Sequence, residues 1–168
     1  GICAIGLPGR HRALADWLGQ KVRAAEVWEW WLPRSEPPAA ATGNRERELV
    51  WRHLQAAYDW FQAYSRGEYR SCPQLVLVGT PFQQQVWRTL LAIVPGETWS
   101  YSRVARAIGK PGAARAVGQA VGANPLPVMV PCHRVVGSRG QLVGFGGGLR
   151  LKRQLLSLEG ALPGGLQC

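Results

Sequence analysis

"SYSRVARAIGKPGAARAVGQAVGAN", residues 100–124, reads as two short helices separated by a glycine-and-proline turn. Ser100 supplies an N-cap, Gly109 stops the first helix, and Lys110-Pro111 leads into the second. Helix, tight turn, helix is the layout of the helix-turn-helix. The same layout occurs in proteins that never meet DNA, so charge must decide between the two uses. Residues 1–82 hold 10 Lys and Arg against 8 Asp and Glu, whereas residues 83–168 hold 10 against 2, so of the net +10 the second half carries +8. A segment whose only acids are Glu97 and Glu159 fits a polyanion, with nucleic acid first. Residues 112–123 are almost entirely Gly, Ala and Val, with Arg115 the one charge and Gln119 the one other polar side chain. Such a helix suits close packing on another helix. It also suits a minor groove only about 6 Å wide.

Upstream, Thr80-Pro81-x-Gln83 is a capping box with proline at the first helical position, followed by an apolar stripe of Val86, Trp87, Leu90, Leu91 and Val94. Gly79 with Thr80-Pro81 marks a domain boundary. Before it, "CPQLVLVGTP" reads as a strand, and "RERELVWRHLQAAYDWFQAYSRGE" as one amphipathic helix with Leu49, Val50, Leu54, Ala57, Tyr58 and Phe61 on its apolar face, ending near Gly67. "GICAIGL" reads as a short strand, "AEVWEWWLP" as a strand or apolar turn, and "RSEPPAAATGN" as a loop. The chain opens on a strand-like run without a methionine, so native residues are expected before it. Downstream, "PVMVPCHRVVG" reads as a buried strand broken at Pro131, and "SRGQLVGFGGG" as a glycine-rich hairpin or loop. "LRLKRQLLSLEGA" reads as an amphipathic helix with Leu151, Leu155, Leu156 and Leu158 inward.

The four cysteines (Cys3, Cys72, Cys132, Cys168) are too scattered for a disulfide scaffold, and with His11 and His53 they form no zinc-ligand spacing. A reducing compartment and a soluble protein are expected, since no apolar run approaches the roughly 20 residues of a membrane span. Cys132 alone has a chemical context. A proline interrupts strand pairing, so the residue after Pro131 is expected at an exposed bend, beside the basic His133 and Arg134. His133 would act on the thiol through a bridging water, because strand neighbours point to opposite faces. Glu159 is a candidate to orient the imidazole, giving a Cys/His/Glu relay. A small core cysteine and a solvated helix-end acid are the plain alternatives.

"PCHRVVG", preceded by "ARAVGQAVGANPLPVMV" and followed by "GFGGGLRLKRQLLSLEGA", closely resembles the O6-alkylguanine-DNA alkyltransferases, also called methylated-DNA--protein-cysteine methyltransferases. The resemblance covers residues 79–161 and is specific; the N-terminal half is similar only in the order of its elements. It implies an α+β protein with two domains. Residues 1–78 would form a small αβ domain, an antiparallel sheet with a helix. Residues 79–168 would form a mainly helical, winged-helix-like domain carrying the helix-turn-helix.

The function implied is single-turnover, irreversible transfer of the alkyl group of O6-alkylguanine, and of O4-alkylthymine, to Cys132 after the base is flipped out through the minor groove. A soft thiolate suits attack on an alkyl carbon, and extrusion exposes O6 of a stacked base. By resemblance Cys132 is the acceptor, His133 the water-mediated base, Glu159 its polarising partner and Asn124 a brace for the active-site turn. Tyr101 matches a residue contacting guanine N3 and the rotated phosphate, and Lys152 one that helps protonate the departing guanine. Arg115 matches the arginine that fills the vacated stack, with Ala114, Gly118 and Gln119 on the same DNA-facing helix. Val121, Val135, Phe145, Gly146 and Gly147 match the guanine pocket.

For three of these the residues alone also allow plainer roles: a core aromatic for Tyr101, a phosphate clamp or simple surface charge for Arg115 and a basic helix surface for Lys152. Phe145 stands where many members have tyrosine, and Gly146 where some have serine. Double-stranded DNA carrying O6-alkylguanine is the implied partner, of a protein that is monomeric in solution and cooperative on DNA. No cofactor, metal or membrane is implied, and the location is cytoplasmic, of prokaryotic type. The rival functions are a lesion-binding protein that does no chemistry, which the presence of Cys132 argues against, and a cysteine hydrolase, which leaves the basic half without a role.

Overall fold

The computed structural model describes residues 45–162, and the expected strands at 1–7 and 25–33 and the loop at 34–44 lie outside them. Residues 45–76 belong to one compact unit and residues 77–162 to a second. No helix among the described residues is long and apolar enough to cross a membrane.

The first unit contributes helix α1, Arg45–Ser65. Its buried residues are Trp60, Ala63 and Tyr64, whereas Leu49, Val50 and Tyr58 of the expected apolar face are exposed. The aromatic end of the helix sets the packed face: Trp60 stacks on Tyr64 at 5.2 Å and meets Phe61 edge-on. The Trp60 indole N–H donates to the Arg70 carbonyl at 3.1 Å, folding the chain back past the helix end. Of the strand expected at 72–81, only Leu75 is in a β-bridge.

The second unit starts with α2, Pro81–Leu90, whose capping box forms as its residues require: Gln83 N–H donates to Thr80 Oγ1 at 3.2 Å and Thr80 N–H to Gln83 Oε1 at 2.9 Å. Val86, Trp87 and Leu90 are buried, but Leu91 and Val94 are exposed because the helix ends at Leu90 and the chain leaves the period that aligned them. Among the described residues Trp87 is the largest side chain sealed from solvent, and its indole N–H donates to the Ala120 carbonyl at 2.7 Å. Burying about 200 Å² of such a ring stabilises by about 5 kcal/mol. A Cβ on Gly79 would lie 2.6 Å from the Trp87 ring. Gly79→Ala is therefore expected to cost about 1–3 kcal/mol, the usual penalty of overpacking, measured by urea unfolding.

A two-residue strand β1, Trp99–Ser100, runs directly into α3, Tyr101–Ala107, with Ser100 Oγ accepting from Arg103 N–H. The helix closes on Gly109 at φ 72°, with Lys110 N–H reaching back to Ala105 C=O and Gly109 N–H to Arg106 C=O, a turn that admits a positive φ cheaply only for glycine. Then comes α4, Ala114–Gly122, without a side-chain cap, packed on α2 and α3. β1 pairs in parallel with β2, Val135–Val136, in the register Trp99 to Val135 and Ser100 to Val136. The fold is thus mixed, helices with one small parallel sheet, and that sheet sets the start of α3 beside the chain that follows Cys132. α5, Gly148–Leu158, completes the unit. Its inward face carries Leu155 and Leu156 but also Lys152 and Glu159, while Leu158 is exposed and Leu151 half-buried.

Candidate active site

Of the strand expected over 127–137, only β2 at Val135–Val136 forms: before it a lone bridge joins Pro127 to Val130, and Cys132–Arg134 make a single 3-10 turn. Pro131 does end strand pairing, but the turn it starts packs against α5, so Cys132 is 5% exposed and not displayed at an open bend. The expectation of an exposed sulfur is corrected accordingly. Burial pushes the thiol up from its ordinary value, opposed by hydrogen bonds from Asn124 and from the backbone at Val128 and by the Lys152 charge. At neutral pH the resting group is therefore the thiol, held where charge and donors favour its anion.

Asn124 braces the approach to that turn. Its Nδ2 donates to Val130 C=O at 2.9 Å and its Oδ1 accepts from Leu126 N–H at 3.0 Å, so one side chain pins both ends of the intervening loop. Inside the loop Val128 has φ 74°. A β-branched residue in the left-handed region costs on the order of 1–3 kcal/mol and persists only where its surroundings over-determine it.

His133 is sealed from solvent, and its Nε2 lies 3.0 Å from Glu159 Oε1. Glu159, the cap residue after α5, is buried too, which removes the alternative of a solvated acid. Arg134 grips the same carboxylate in a fork, Nε to Oε2 at 2.9 Å and Nη2 to Oε1 at 2.7 Å, and its Nη1 donates to the Ile93 carbonyl. A carboxylate facing a guanidinium is ionised and can only accept, so the imidazole proton sits on Nε2. Burial pulls the His133 pKa below 6.5 against the raising effect of Glu159, with Arg134 and Lys152 adding to the fall. The ring is neutral at pH 7. Its Nδ1, buried and without a hydrogen-bond partner among the described residues, carries the lone pair.

Lys152 is fully buried, so the reading as a basic helix surface is overturned. Its ammonium donates to the carbonyls of Val135, Val143 and Gly144, the last two at 2.8 and 3.4 Å, tying β2 to the glycine-rich loop. Burial lowers its pKa to about 8, with the Cys132 charge opposing. Tyr101, the first residue of α3, is half-buried, and burial together with the Cys132 charge raises its pKa. A Cβ built on Gly144 would sit 3.9 Å from its hydroxyl and one on Gly118 3.8 Å from its ring, so Tyr101 lies between α4 and the glycine loop.

A family model described as 6-O-methylguanine DNA methyltransferase, DNA binding domain, matches residues 81–161. The methylated-DNA--protein-cysteine methyltransferase of Mycobacterium tuberculosis is 55% identical over 107 residues, covering 63% of this chain and 65% of that protein. The chain thus spans just under two thirds of the length of that curated relative. A crystal structure of Mycobacterium tuberculosis OGT in complex with DNA is 52% identical with a TM-score of 0.62, covering 64% of this chain and 68% of that one. The chain belongs to the O6-alkylguanine-DNA alkyltransferase family. A second alkyltransferase structure, from the hyperthermophilic archaeon Pyrococcus kodakaraensis, covers 90% of this chain and 77% of its own at 27% identity and a TM-score of 0.57.

Against the alkyltransferase pattern the residues fall into two groups. Cys132, His133, Glu159, Asn124, Lys152, Tyr101 and Val135 form one connected cluster. Phe145 joins it with its ring 6.4 Å from that of His133 and edge-on. Gly146 is exposed and Gly147 half-buried just before α5, while Val121 is buried in α4. Arg115 and Gln119 are exposed on α4 and Ala114 and Gly118 half-buried, a face apart from the buried cluster and joined to it by Tyr101. Arg88, Arg103, Arg106, Lys110, Arg115, Arg139, Arg150 and Arg153 are all exposed, and Glu97, the one acid of residues 83–168 on the surface, pairs with Arg103 at 2.9 Å. The fork of Arg134 on Glu159 went unread in the sequence, although an arginine inside an otherwise apolar run is a signal that it has a buried partner.

Proposed function

We propose that this alkyltransferase repairs DNA by direct reversal, moving the alkyl group of O6-alkylguanine irreversibly to Cys132. Supporting this most strongly is the network around one buried sulfur: a neutral histidine whose Nδ1 no described residue engages, oriented by an ionised Glu159, and a buried ammonium nearby. Nδ1 takes the thiol proton through a bridging water. The sulfur then attacks the alkyl carbon, an S–C bond forms as the C–O6 bond breaks, and the electron pair leaves on guanine, which takes up a proton. The net change is a thiol hydrogen exchanged for an alkyl group. Lys152 stabilises the thiolate in a site where charge is poorly screened, and Asn124 holds the turn. Tyr101 contacts the flipped base from the start of α3, and Val135, Val121, Phe145, Gly146 and Gly147 line its pocket. Residues 1–78 and 79–168 act as an αβ domain and a winged-helix-like DNA-binding domain, in a chain that is monomeric before it meets its lesion.

Intact mass tests this reading. One equivalent of duplex containing O6-methylguanine should add one methyl group to the protein, on the peptide carrying Cys132, and the absence of any adduct at stoichiometric protein would defeat it. Duplex DNA enters on the exposed face of α4, where small side chains let the backbone approach and Arg115 fills the space the base leaves. Losing that support costs part of the few kcal/mol of unstacking, and each 1.4 kcal/mol is a factor of ten. Arg115→Ala is therefore expected to slow duplex repair roughly tenfold or more while leaving reaction with free O6-benzylguanine nearly unchanged. Equal slowing of both substrates in single-turnover assays would remove that role.

A further inference from the structure

We propose that Arg134 is a positioning residue of the alkyl-transfer centre: by occupying both oxygens of Glu159 it fixes the proton of His133 on Nε2 and keeps the lone pair on Nδ1. The inference rests on the alkyl-transfer reading above. Arg134 is held from two sides, by the Glu159 carboxylate at the end of α5 and by the Ile93 carbonyl after α2. Glu159 Oε1 is shared, accepting from Arg134 Nη2 at 2.7 Å and facing His133 Nε2 at 3.0 Å. The guanidinium thus sets where the carboxylate stands and what the imidazole meets.

The same contact decides which protonation state the buried ring can hold. Among the described residues, the charged and titratable groups of this cluster are Glu159, Arg134 and Lys152, with Cys132 and Tyr101. With Arg134 and Lys152 positive and Glu159 negative, the cluster already carries one net positive charge, which the Cys132 thiolate neutralises. An imidazolium would add a second positive charge where charge is costly. Without Arg134 the balance reverses: the lone Glu159 carboxylate stabilises a doubly protonated His133, and an imidazolium has no lone pair with which to take the thiol proton.

The test is the pH dependence of Cys132 alkylation by free O6-benzylguanine, which bypasses DNA binding. Arg134→Met should move the acid limb upward by about one pH unit, so that the rate on that limb falls about tenfold while the alkaline plateau stays within a few-fold. Arg134→Lys, which keeps the charge but loses the fork, should recover most of the shift. A uniform drop at every pH with an unmoved midpoint would show a merely structural role and overturn the proposal. The ring-nitrogen NMR signals of His133, assigned by their loss in His133→Asn, report independently of activity and of whether Arg134→Met folds. In the unsubstituted protein at neutral pH, Nε2 should be protonated and Nδ1 bare, and the other tautomer or an imidazolium would overturn the proposal. Should the unsubstituted protein accept no alkyl group at all, the reading of its function fails, while the shift of the His133 ring-nitrogen titration between the unsubstituted protein and Arg134→Lys or Arg134→Met still decides what Arg134 does.

Discussion

Cys132→Ala is expected to abolish alkyl transfer from O6-methylguanine DNA and to leave binding of the lesion duplex within a few-fold of the unsubstituted protein. The first half follows from chemistry: a methyl group cannot form an S–C bond, and among the described residues no second cysteine lies in the cluster, Cys72 belonging to the other compact unit. The second half follows from geometry, because the proposed DNA contacts lie on the exposed face of α4 and Cys132 is 5% exposed. Cys132→Ser is the sharper control, since it keeps a polar atom at nearly the same place for Asn124 and Val128 while replacing a soft nucleophile with a poor one. Intact mass and fluorescence anisotropy on the same duplex separate the two effects. Retained transfer in Cys132→Ala would remove the sulfur from the mechanism, and a protein that binds the lesion without any adduct would instead be a recognition module.

How far the residues alone could lead depended on the range of the interaction. Features decided within four residues were legible. The Thr80-to-Gln83 capping box and the Ser100 cap form because each needs only one side chain and a nearby amide. Periodicity went wrong wherever an element stopped early or another packed across it: Leu91 and Val94 fall beyond the end of α2, and Leu158 faces out because Glu159 takes the inward place one residue later. The site divides in the same way. Cys132 and His133 are adjacent and could be paired on sight, and Glu159 stood out as one of two acids in a basic half. Arg134 and Glu159 are 25 residues apart, and neither helical period nor motif reports a bond that exists only once α5 packs on the 3-10 turn. The burial of Cys132 was misjudged for a related reason. A proline predicts that a strand breaks, but where the broken chain then goes is settled by Asn124, Lys152 and α5 from a distance.

Glu159→Gln should be the most damaging substitution that leaves every reacting atom in place. The amide keeps the size of the carboxylate but loses its charge, so Arg134 stays buried facing a neutral group, and His133 faces a side chain with one accepting oxygen and one donating nitrogen in place of an acceptor-only carboxylate. Removing one partner of a buried ion pair costs about 3–5 kcal/mol, far above the fraction of a kcal/mol typical of surface pairs such as Arg66 with Glu68. For a chain of this size that loss corresponds to a fall in Tm of about 10 °C.

The pH dependence has a definite sign. The folded His133 pKa lies below 6.5, so as pH drops past that value the unfolded chain binds a proton the folded one refuses, and stability declines. Lys152, at about 8 folded against 10.5 ordinarily, makes stability decline between those two values and contributes a constant amount below them. The histidine slope is therefore the one seen on the acid side. In Glu159→Gln the imidazole keeps its burial but loses the carboxylate that raised its pKa, so the folded ring takes a proton still less readily and the acid-side loss of stability deepens. Alkylation should slow by about 10²-fold or more, the usual contribution of a positioned general base. If Glu159→Gln melts within a degree or two of the unsubstituted protein and alkylates at the same rate, neither the ion pair nor the fixed tautomer matters, and Cys132 must lose its proton by another route.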